Sequence, residues 1–222
     1  MKYLLGTFSL VALLQTMPVI QLAQASEAAT TVNDGSIQQV VKAQLMSNFP
    51  DGEFYPEKLI SRAELAEILV KTFHLEKRLA TKQPNLILAD VPSNYSAYKE
   101  IQIVLKTDIM KGYRGNMFFP NQRITRAEAL AIFAQAYGVF QFPEDTVNEI
   151  LTPYPDAALI PTWARKAIAT VVSEGFINTD SQGNINPLRP MTRGDMADIL
   201  SKYLQRQQKQ PDTPVAPDAP QS

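Results

Sequence analysis

The stretch Phe118-Phe119-Pro120-Asn121-Gln122-Arg123-Ile124-Thr125-Arg126-Ala127-Glu128 decides the fold, because its pattern occurs twice more in this 222-residue chain. Pro120 is followed six residues later by Arg126 and preceded nineteen residues earlier by Ile101. The same spacing recurs without gaps in two further sets, Ile37, Pro56 and Arg62, and Ile168, Pro187 and Arg193. The sequence therefore contains three copies of one unit.

Each copy predicts two amphipathic helices, because its apolar residues recur at spacings of three and four. The first-helix stripes are Ile37, Val40, Val41 and Leu45; Ile101, Val104, Leu105 and Ile109; and Ile168, Val171, Val172 and Phe176. The second-helix stripes are Leu65, Ile68, Leu69, Thr72 and Phe73; Ala129, Ile132, Phe133, Ala136 and Tyr137; and Met196, Ile199, Leu200, Tyr203 and Leu204.

A loop rich in Gly, Asn and Asp joins the two helices of each copy and ends in the repeated proline. We expect Phe54, Phe118 and Ile185 to pin these loops onto the helices. One helix pair cannot bury its own apolar faces, so the three copies should share a core. The prediction is an all-α fold of three helix–loop–helix repeats with little or no strand, joined by polar connectors at about 76–88 and 141–152.

The two ends of the chain differ from the repeats in composition. Lys2, the apolar run 4–14 and the small residues Ala23 and Ala25 predict a secretory signal peptide over 1–25, and hence export to the periplasm or cell surface. No other stretch is apolar enough to cross a bilayer. Residues 205–222 are rich in Pro and Gln and predict a disordered tail.

Bulk composition excludes several functions. A net charge of −1 argues against nucleic acid as a partner, because phosphate binding needs a concentrated basic face. The sequence has no cysteine and a single histidine, His74, so thiol catalysis, a His-based triad and Cys-based zinc sites are ruled out. The segment 180–185 lacks the carboxylates of a calcium loop. We predict no enzyme activity, metal or cofactor.

A Ser/Thr-Arg-(Ala/Gly)-(Glu/Asp) tetrapeptide starts the second helix of every copy. Its first and last residues predict capping boxes, in which the hydroxyl and the carboxylate each satisfy a backbone amide of the helix start. These residues are Ser61 and Glu64, Thr125 and Glu128, and Thr192 and Asp195. Gly194 and the shorter Asp195 should weaken the third box.

Capping does not explain the arginines Arg62, Arg126 and Arg193, because a cation in the first turn opposes the helix macrodipole. Two explanations stay open. The guanidinium could pair with a carboxylate of the protein, such as Asp90, Asp156 or its own box residue. It could also lie beside exposed helix amides and receive a carboxylate or phosphate ligand.

These motifs resemble the S-layer homology (SLH) domain family. The quoted stretch of the second copy, with Ala89-Asp90-Val91-Pro92 and Gly112-Tyr113 before it, matches the family pattern most fully. The third copy supplies Tyr154-Pro155-Asp156 and Trp163-Ala164. The resemblance covers about residues 32–204, and divides them into repeats at 32–75, 88–138 and 154–204.

The resemblance implies a pseudo-threefold bundle that binds peptidoglycan-linked wall polysaccharide, often pyruvylated, in grooves between repeats. The residues it nominates for glycan or carboxylate binding are Arg62, Arg126, Arg193, Asp90, Asp156, Gly112, Tyr113 and Trp163. Trp163 could stack on a sugar or lie in the core. Val32 and Ser96 occupy its position in the other copies, and Ser26 matches Asp90, so the first repeat has an incomplete N-terminal loop. The alternative function is an envelope protein-interaction subunit that uses the same fold without binding glycan.

Overall fold

The computed structural model describes residues 34–79 and 83–209 of the chain. Within these ranges the backbone is mainly helical, and extended residues pair only as isolated bridges. This confirms the predicted all-α class. The α-helices of the described residues are α1 (Asp34–Lys42), α2 (Arg62–Phe73), α3 (Tyr98–Lys106), α4 (Arg126–Tyr137), α5 (Glu144–Leu151), α6 (Arg165–Ser173) and α7 (Arg193–Lys209).

Six of these helices are the predicted pairs: α1 and α2, α3 and α4, and α6 and α7. The seventh, α5, lies in the segment 141–152 that we predicted as a connector. It forms because Val147 and Leu151, four residues apart, place both side chains on one buried face that packs against α6. Short 3-10 turns cover Leu75–Arg78, Ala157–Leu159 and Thr162–Ala164.

The two ends of the chain are only partly described. Helix α7 continues to Lys209, so the first five residues of the predicted tail are helical rather than disordered. The remainder of that tail, the predicted signal peptide over 1–25, and the positions Ser26 and Val32 all lie outside the described residues.

Helices pack between repeats rather than mainly within them. Two of the three most extensive helix contacts join α2 to α3 and α4 to α6, so the second helix of one repeat lies against the first helix of the next. The third repeat closes the circuit, because α7 packs against α1. The repeats therefore form a ring, not an open stack, and their apolar stripes meet in one core.

Short bridges between the segments that precede α2, α4 and α7 hold the centre of the ring. The antiparallel bridges are Leu59 with Thr192, Ser61 with Arg123, and Thr125 with Pro190. Between them, the amide of Ile60 donates to Met191 O at 3.0 Å, and the amide of Met191 donates to Ile124 O at 2.8 Å. Ile60, Ile124 and Met191 occupy the same position in the three copies and are all buried. The three equivalent segments thus meet around a pseudo-threefold axis.

The loops turn sharply just before the repeated prolines. Tyr55, Phe119 and Asn186 adopt left-handed backbone angles with φ of 52°, 56° and 55°. Such angles are uncommon for residues with a side chain and are strained for aromatic ones. The turn drives the preceding residue, Phe54, Phe118 or Ile185, into the core, where each is buried. The predicted plugs are thus in place.

No helix within 34–79 and 83–209 is both long and apolar enough to cross a membrane.

The loop plug Phe118 should make a large contribution to stability, because it is fully buried. Phe118→Ala should lower the free energy of unfolding by about 3–5 kcal/mol, through lost burial and the cavity left behind. Urea unfolding followed by circular dichroism measures this. Ile87→Ala is the matched control: Ile87 is 87% exposed, and its loss should change stability by less than about 0.5 kcal/mol. Similar values for the two variants would contradict the assigned role of the plug.

Candidate functional site

The three tetrapeptide arginines each donate hydrogen bonds to two backbone carbonyls in the loop of the next repeat, an arrangement that we call the clasp. Arg62 donates from Nε to Phe118 O at 2.9 Å and from Nη2 to Lys111 O at 2.7 Å. The other two use the corresponding carbonyls. Arg126 donates to Ile185 O (2.7 Å) and Asn178 O (2.7 Å), and Arg193 to Phe54 O (2.9 Å) and Ser47 O (2.7 Å). Because Arg193 returns to the first repeat, the clasps form a closed cycle.

The first amides of the second helices also bond to the next repeat. In α2 the amide of Arg62 donates to Gln122 O at 3.0 Å, and that of Ala63 donates to Pro120 O at 2.9 Å. The same pattern holds in α4, with Arg189 O and Pro187 O as acceptors, and in α7, with Lys58 O and Pro56 O. These helix starts therefore do not offer their amides to a ligand, contrary to one of the two explanations for the arginines.

Each tetrapeptide caps its helix, but the three carboxylates are used differently. The hydroxyls of Ser61, Thr125 and Thr192 accept from the third amide of their helices at 3.2, 3.3 and 3.1 Å. Glu128 completes its box by accepting from the Thr125 amide at 2.8 Å, and Asp195 accepts from the Thr192 amide at 3.1 Å. The third box is formed, because Asp195 is shorter than Glu but still reaches the cap.

The remaining guanidinium nitrogen, Nη1, distinguishes the three copies. Arg193 Nη1 forms an ion pair with Glu64. Arg126 Nη1 lies 3.0 Å from Asp195 Oδ1, as an ion pair without hydrogen-bond angles, and Arg189 contacts the same oxygen at 2.9 Å. Arg62 Nη1 has no hydrogen bond or ion pair among residues 34–79 and 83–209. The carboxylate partners belong to the next repeat rather than to the arginine's own box.

Burial shifts the pKa values of the charged groups in this network. Desolvation lowers the pKa of Arg126, and Asp195 opposes that shift. Burial alone would raise the pKa of Asp195, but Arg126, then Arg189, hold it below the ordinary value of 3.8. Desolvation also lowers the pKa of Arg62, which Tyr113, Glu128 and Asp90 partly offset through their charge.

Asp90 and Asp156, which the family resemblance nominates for ligand binding, hold the strained turns. Asp90 accepts from the amides of Phe118 (2.9 Å) and Phe119 (2.6 Å). Asp156 accepts from the amides of Ile185 (2.9 Å) and Asn186 (2.6 Å). Their oxygens thus satisfy the backbone at the left-handed residues, and neither aspartate pairs with an arginine among the ion pairs of the described chain.

An open groove of about 820 Å³ lies between the first-repeat loop, the start of α2 and the second repeat. Arg193, Glu64 and Phe49 are among the residues that line this groove. Lys58 Nζ lies 3.9 Å from the centre of the Phe49 ring, and Arg193 Cζ lies 4.8 Å from it. The other lining residues include Ser61, Glu67, Tyr95, Ser96, Asn121 and Arg123. The groove thus combines cations, amide and hydroxyl groups, and aromatic faces.

The other nominated residues are on the surface. Gly112 and Tyr113 are exposed, and the Tyr113 ring contacts Arg62 at 4.9 Å. Trp163 is 63% exposed, which excludes the core alternative for it. In the repeat register, Tyr113 and Trp163 occupy the positions of Phe49 and Ser96, which line the groove. They therefore belong to the corresponding surface one repeat further on.

Sequence reasoning missed the cations that line the groove. Lys58 and Arg123 are both exposed. The positions that match Lys58 are Gln122 and Arg189, so a cation does not recur there in all three copies. The signal that could have found them is their place just before the tetrapeptides. By contrast, Arg62, Arg126 and Arg193 are 7%, 1% and 5% exposed, which favours the structural explanation for these arginines.

No group of three or more His, Asp or Glu side chains suited to a metal lies within the described ranges. Asp180, in the segment with a faint calcium-loop pattern, is occupied by the turn itself. It accepts from Asn186 Nδ2 at 2.9 Å and from the Asn184 and Gln182 amides at 2.9 Å each. The bond from Asn186 has the largest effect on the pKa of Asp180, and together these bonds lower it to about 2.

Comparison with known proteins identifies the repeats. The sequence model of the S-layer homology domain matches residues 31–66, 88–130 and 153–197. The chain is 28% identical over 173 residues to the Surface-layer 125 kDa protein of Lysinibacillus sphaericus, and 26% identical over 167 residues to the Cellulosome-anchoring protein of Acetivibrio thermocellus. It is also 25% identical over 171 residues to an Amylopullulanase of Thermoanaerobacterium thermosulfurigenes.

These alignments cover 77%, 74% and 77% of this chain but only 14%, 36% and 9% of the three relatives. The chain therefore corresponds to one region of much longer proteins. The three matched segments agree with the three repeats predicted from the proline and arginine spacing.

Arg126 should contribute strongly to the stability of the fold. Arg126→Ala removes a buried cation, leaves the carbonyls of Asn178 and Ile185 without their donor, and takes one of two arginines from Asp195. We expect the free energy of unfolding to fall by about 3–5 kcal/mol. Chemical denaturation measures it, with Arg114→Ala, at an exposed arginine, as the matched control. Equal stability of the two variants would show that the clasp is dispensable.

The Asp195 ion pairs predict acid sensitivity of a defined sign. The pKa of Asp195 in the folded state lies below 3.8, so its stabilising contribution is complete above that pH and is lost as the pH falls further towards the folded pKa. The stability gap between wild type and Asp195→Asn should therefore be widest near neutral pH and shrink below about pH 4. Urea unfolding at a series of pH values tests this. A gap that stays constant down to pH 2 would contradict the assignment.

Proposed function

Because this chain belongs to the S-layer homology domain family, we propose that it attaches to peptidoglycan-linked cell-wall polysaccharide through the grooves between its repeats. The observation that carries the proposal is the groove lined by Lys58, Phe49 and Arg123, which the ring arrangement of the family's three repeats creates. In this function the protein is exported, wall-associated and non-catalytic.

The diversity of the relatives supports anchoring rather than catalysis. A surface-layer protein, a cellulosome-anchoring protein and an amylopullulanase bear names for different activities, yet each shares with this chain a segment of similar length. We infer that the property common to such proteins is attachment to the cell surface rather than any one reaction. We extend that property to this chain.

The groove has the chemistry that carbohydrate binding needs. Sugars present hydroxyl groups to hydrogen-bonding side chains and an apolar ring face to aromatic ones. Tyr95 donates from its hydroxyl to Asn121 Oδ1 at 3.2 Å, which places an aromatic face beside an exposed amide. Lys58 and Arg123 add positive charge suited to an acidic glycan. The corresponding surface one repeat on offers Tyr113, Gly112 and the exposed Trp163.

The structure also indicates which residue to substitute in a test of binding. An arginine of the tetrapeptides is a poor probe of binding, because its loss disturbs the ring as well as any ligand contact. Lys58 is better: its side chain is exposed, and only its backbone carbonyl takes part in the ring, as acceptor for the Arg193 amide.

Lys58→Gln should reduce retention of the protein on purified cell-wall sacculi several-fold without changing its melting temperature. The substitution removes the charge but installs the residue that the second repeat has at this position, Gln122. Lys99→Gln, at an exposed lysine of α3 outside the groove, is the matched control and should bind as wild type does. A co-sedimentation assay over a range of sacculus concentrations gives the comparison.

Each other outcome of that assay has a definite meaning. Equal retention of Lys58→Gln and wild type would remove Lys58 from the binding surface. Absence of retention for wild type would overturn the proposed function, and would leave a protein partner in the cell envelope as the alternative.

A further inference from the structure

The connector before α3, residues 83–88, contains the most exposed apolar residue of the described chain. Ile87 is 87% exposed, and its neighbour Leu86 is 46% exposed. The corresponding connector before α6 folds into α5 and buries its own apolar residues, Val147 and Leu151. The two connectors therefore differ in conformation, and only the first leaves its apolar side chains in solvent.

A buried glutamine holds this connector in place. Gln102, which is 3% exposed on α3, accepts from the Leu86 amide at 2.8 Å and donates through Nε2 to Leu86 O at 2.9 Å. One primary amide can satisfy both groups only if they lie on the same side of the residue, which is the geometry of an extended strand. The positions that match Gln102 are Gln38, which is exposed, and Ala169, so the second repeat differs from the other two here.

The opposite edge of the connector is unpaired. Successive residues of an extended chain turn their N–H and C=O groups to opposite sides, so Asn85 and Ile87 point theirs away from Gln102. Within residues 34–79 and 83–209, the backbone groups of neither residue form a hydrogen bond. Both residues therefore offer an amide and a carbonyl at an exposed edge that Gln102 keeps extended. An added β-strand needs this pattern of donors and acceptors.

Lys106 adds a charge at one end of this edge. Its Nζ donates to Gln83 O at 3.0 Å and to Asn85 Oδ1 at 2.7 Å. It has no carboxylate among the ion pairs of the described residues. A side chain placed opposite Asn85 would therefore meet an ammonium group without a counter-charge. In an antiparallel pair, that side chain belongs to the residue two positions after the one opposite Ile87, on the same face.

We propose that residues 85–87 form a docking edge for an extended segment of another protein, which adds as an antiparallel β-strand. The partner segment has an apolar side chain opposite Ile87 and a carboxylate two residues later, where it pairs with Lys106. This charge complementarity argues against a second copy of the chain. If two copies paired at Ile87, the residue opposite Asn85 would be Ala89, which has no charge.

The docking edge goes beyond the proposed function and does not depend on it. Alternating backbone donors and acceptors match another polypeptide, whereas the groove beside Lys58 offers the side chains that a glycan needs. One surface would thus attach the protein to the wall, and the other would hold a protein partner there.

A synthetic peptide tests the proposal on the full-length chain. The probe is the amidated heptapeptide Thr-Val-Thr-Ile-Thr-Glu-Thr, labelled at its N-terminus with fluorescein, and its binding is measured by fluorescence anisotropy. N-methylation of its Ile amide should weaken binding about tenfold or more, because the bond to Ile87 O is lost and the methyl group obstructs pairing. N-methylation of the next Thr amide is the matched control. That amide lies on the outer edge, so binding should change by less than about twofold.

Protein variants separate the backbone of Ile87 from its side chain. Ile87→Pro removes an amide that has no internal partner, so the melting temperature should not change, while peptide binding falls about tenfold or more. Ile87→Ala keeps the amide and should weaken binding by at most about fivefold, which one cross-strand side-chain pair contributes. Lys106→Gln should weaken binding of this peptide but not of an analogue with Gln in place of Glu.

Several outcomes would overturn the inference. They are absence of peptide binding to wild type, equal binding to Ile87→Pro and wild type, and equal binding of the two N-methylated peptides. Equal binding of the Glu and Gln peptides to wild type would remove Lys106 from the docking edge and with it the stated chemistry of the partner. Sedimentation velocity should show wild type as a monomer. A dimer that Ile87→Pro dissociates would make a second copy the occupant, contrary to the proposal.

Discussion

The clasp between a buried guanidinium and two loop carbonyls of the neighbouring repeat is the interaction on which the rest of the structure depends. A cation in the first turn of a helix costs about 0.3–1 kcal/mol against the macrodipole. Two charge-assisted hydrogen bonds to carbonyls contribute about 1.5–3 kcal/mol each. The clasp therefore outweighs the dipole. It also explains why a residue that is unfavourable for an isolated helix recurs at the same register three times.

The clasp makes the repeats interdependent. Arg62 and Arg126 each join one repeat to its successor, and Arg193 joins the last to the first. In an open solenoid the terminal repeats expose one face and need a cap. Here α7 packs on α1, so the ring supplies its own closure. The strained turns at Tyr55 and Phe119 also support the closed ring, because they direct the carbonyl of the preceding residue towards the arginine.

The helices, the buried loop plugs and the caps could be predicted from the sequence, because each depends on residues close together in the chain. Val104 and Ile101, or Thr125 and Glu128, are neighbours on one helix or one turn. The partners of the arginines were not predictable in this way. Arg62 bonds to carbonyls 49 and 56 residues away, and Arg193 to carbonyls 146 and 139 residues away. A backbone carbonyl carries no sequence signal.

Two other differences have local causes. Helix α5 was missed because Pro143 and its acidic first turn resemble a polar connector, and only Val147 and Leu151 reach the core. Trp163 was ambiguous because a tryptophan suits a core and a binding surface equally well, and only its exposure in the folded structure showed that it faces solvent. The hydrogen bonds by which Asp90 and Asp156 hold the turns were not predicted, because the strain of those turns is not visible in the sequence.

The capping carboxylate links each helix start to the neighbouring repeat. One carboxylate can complete a helix cap, neutralise the neighbouring arginine, or do both if its two oxygens point in different directions, as those of Asp195 do. Glu64 and Glu128 each satisfy one demand and leave the other unmet. The asymmetry among three nearly identical motifs follows from which oxygen each carboxylate commits to its own helix.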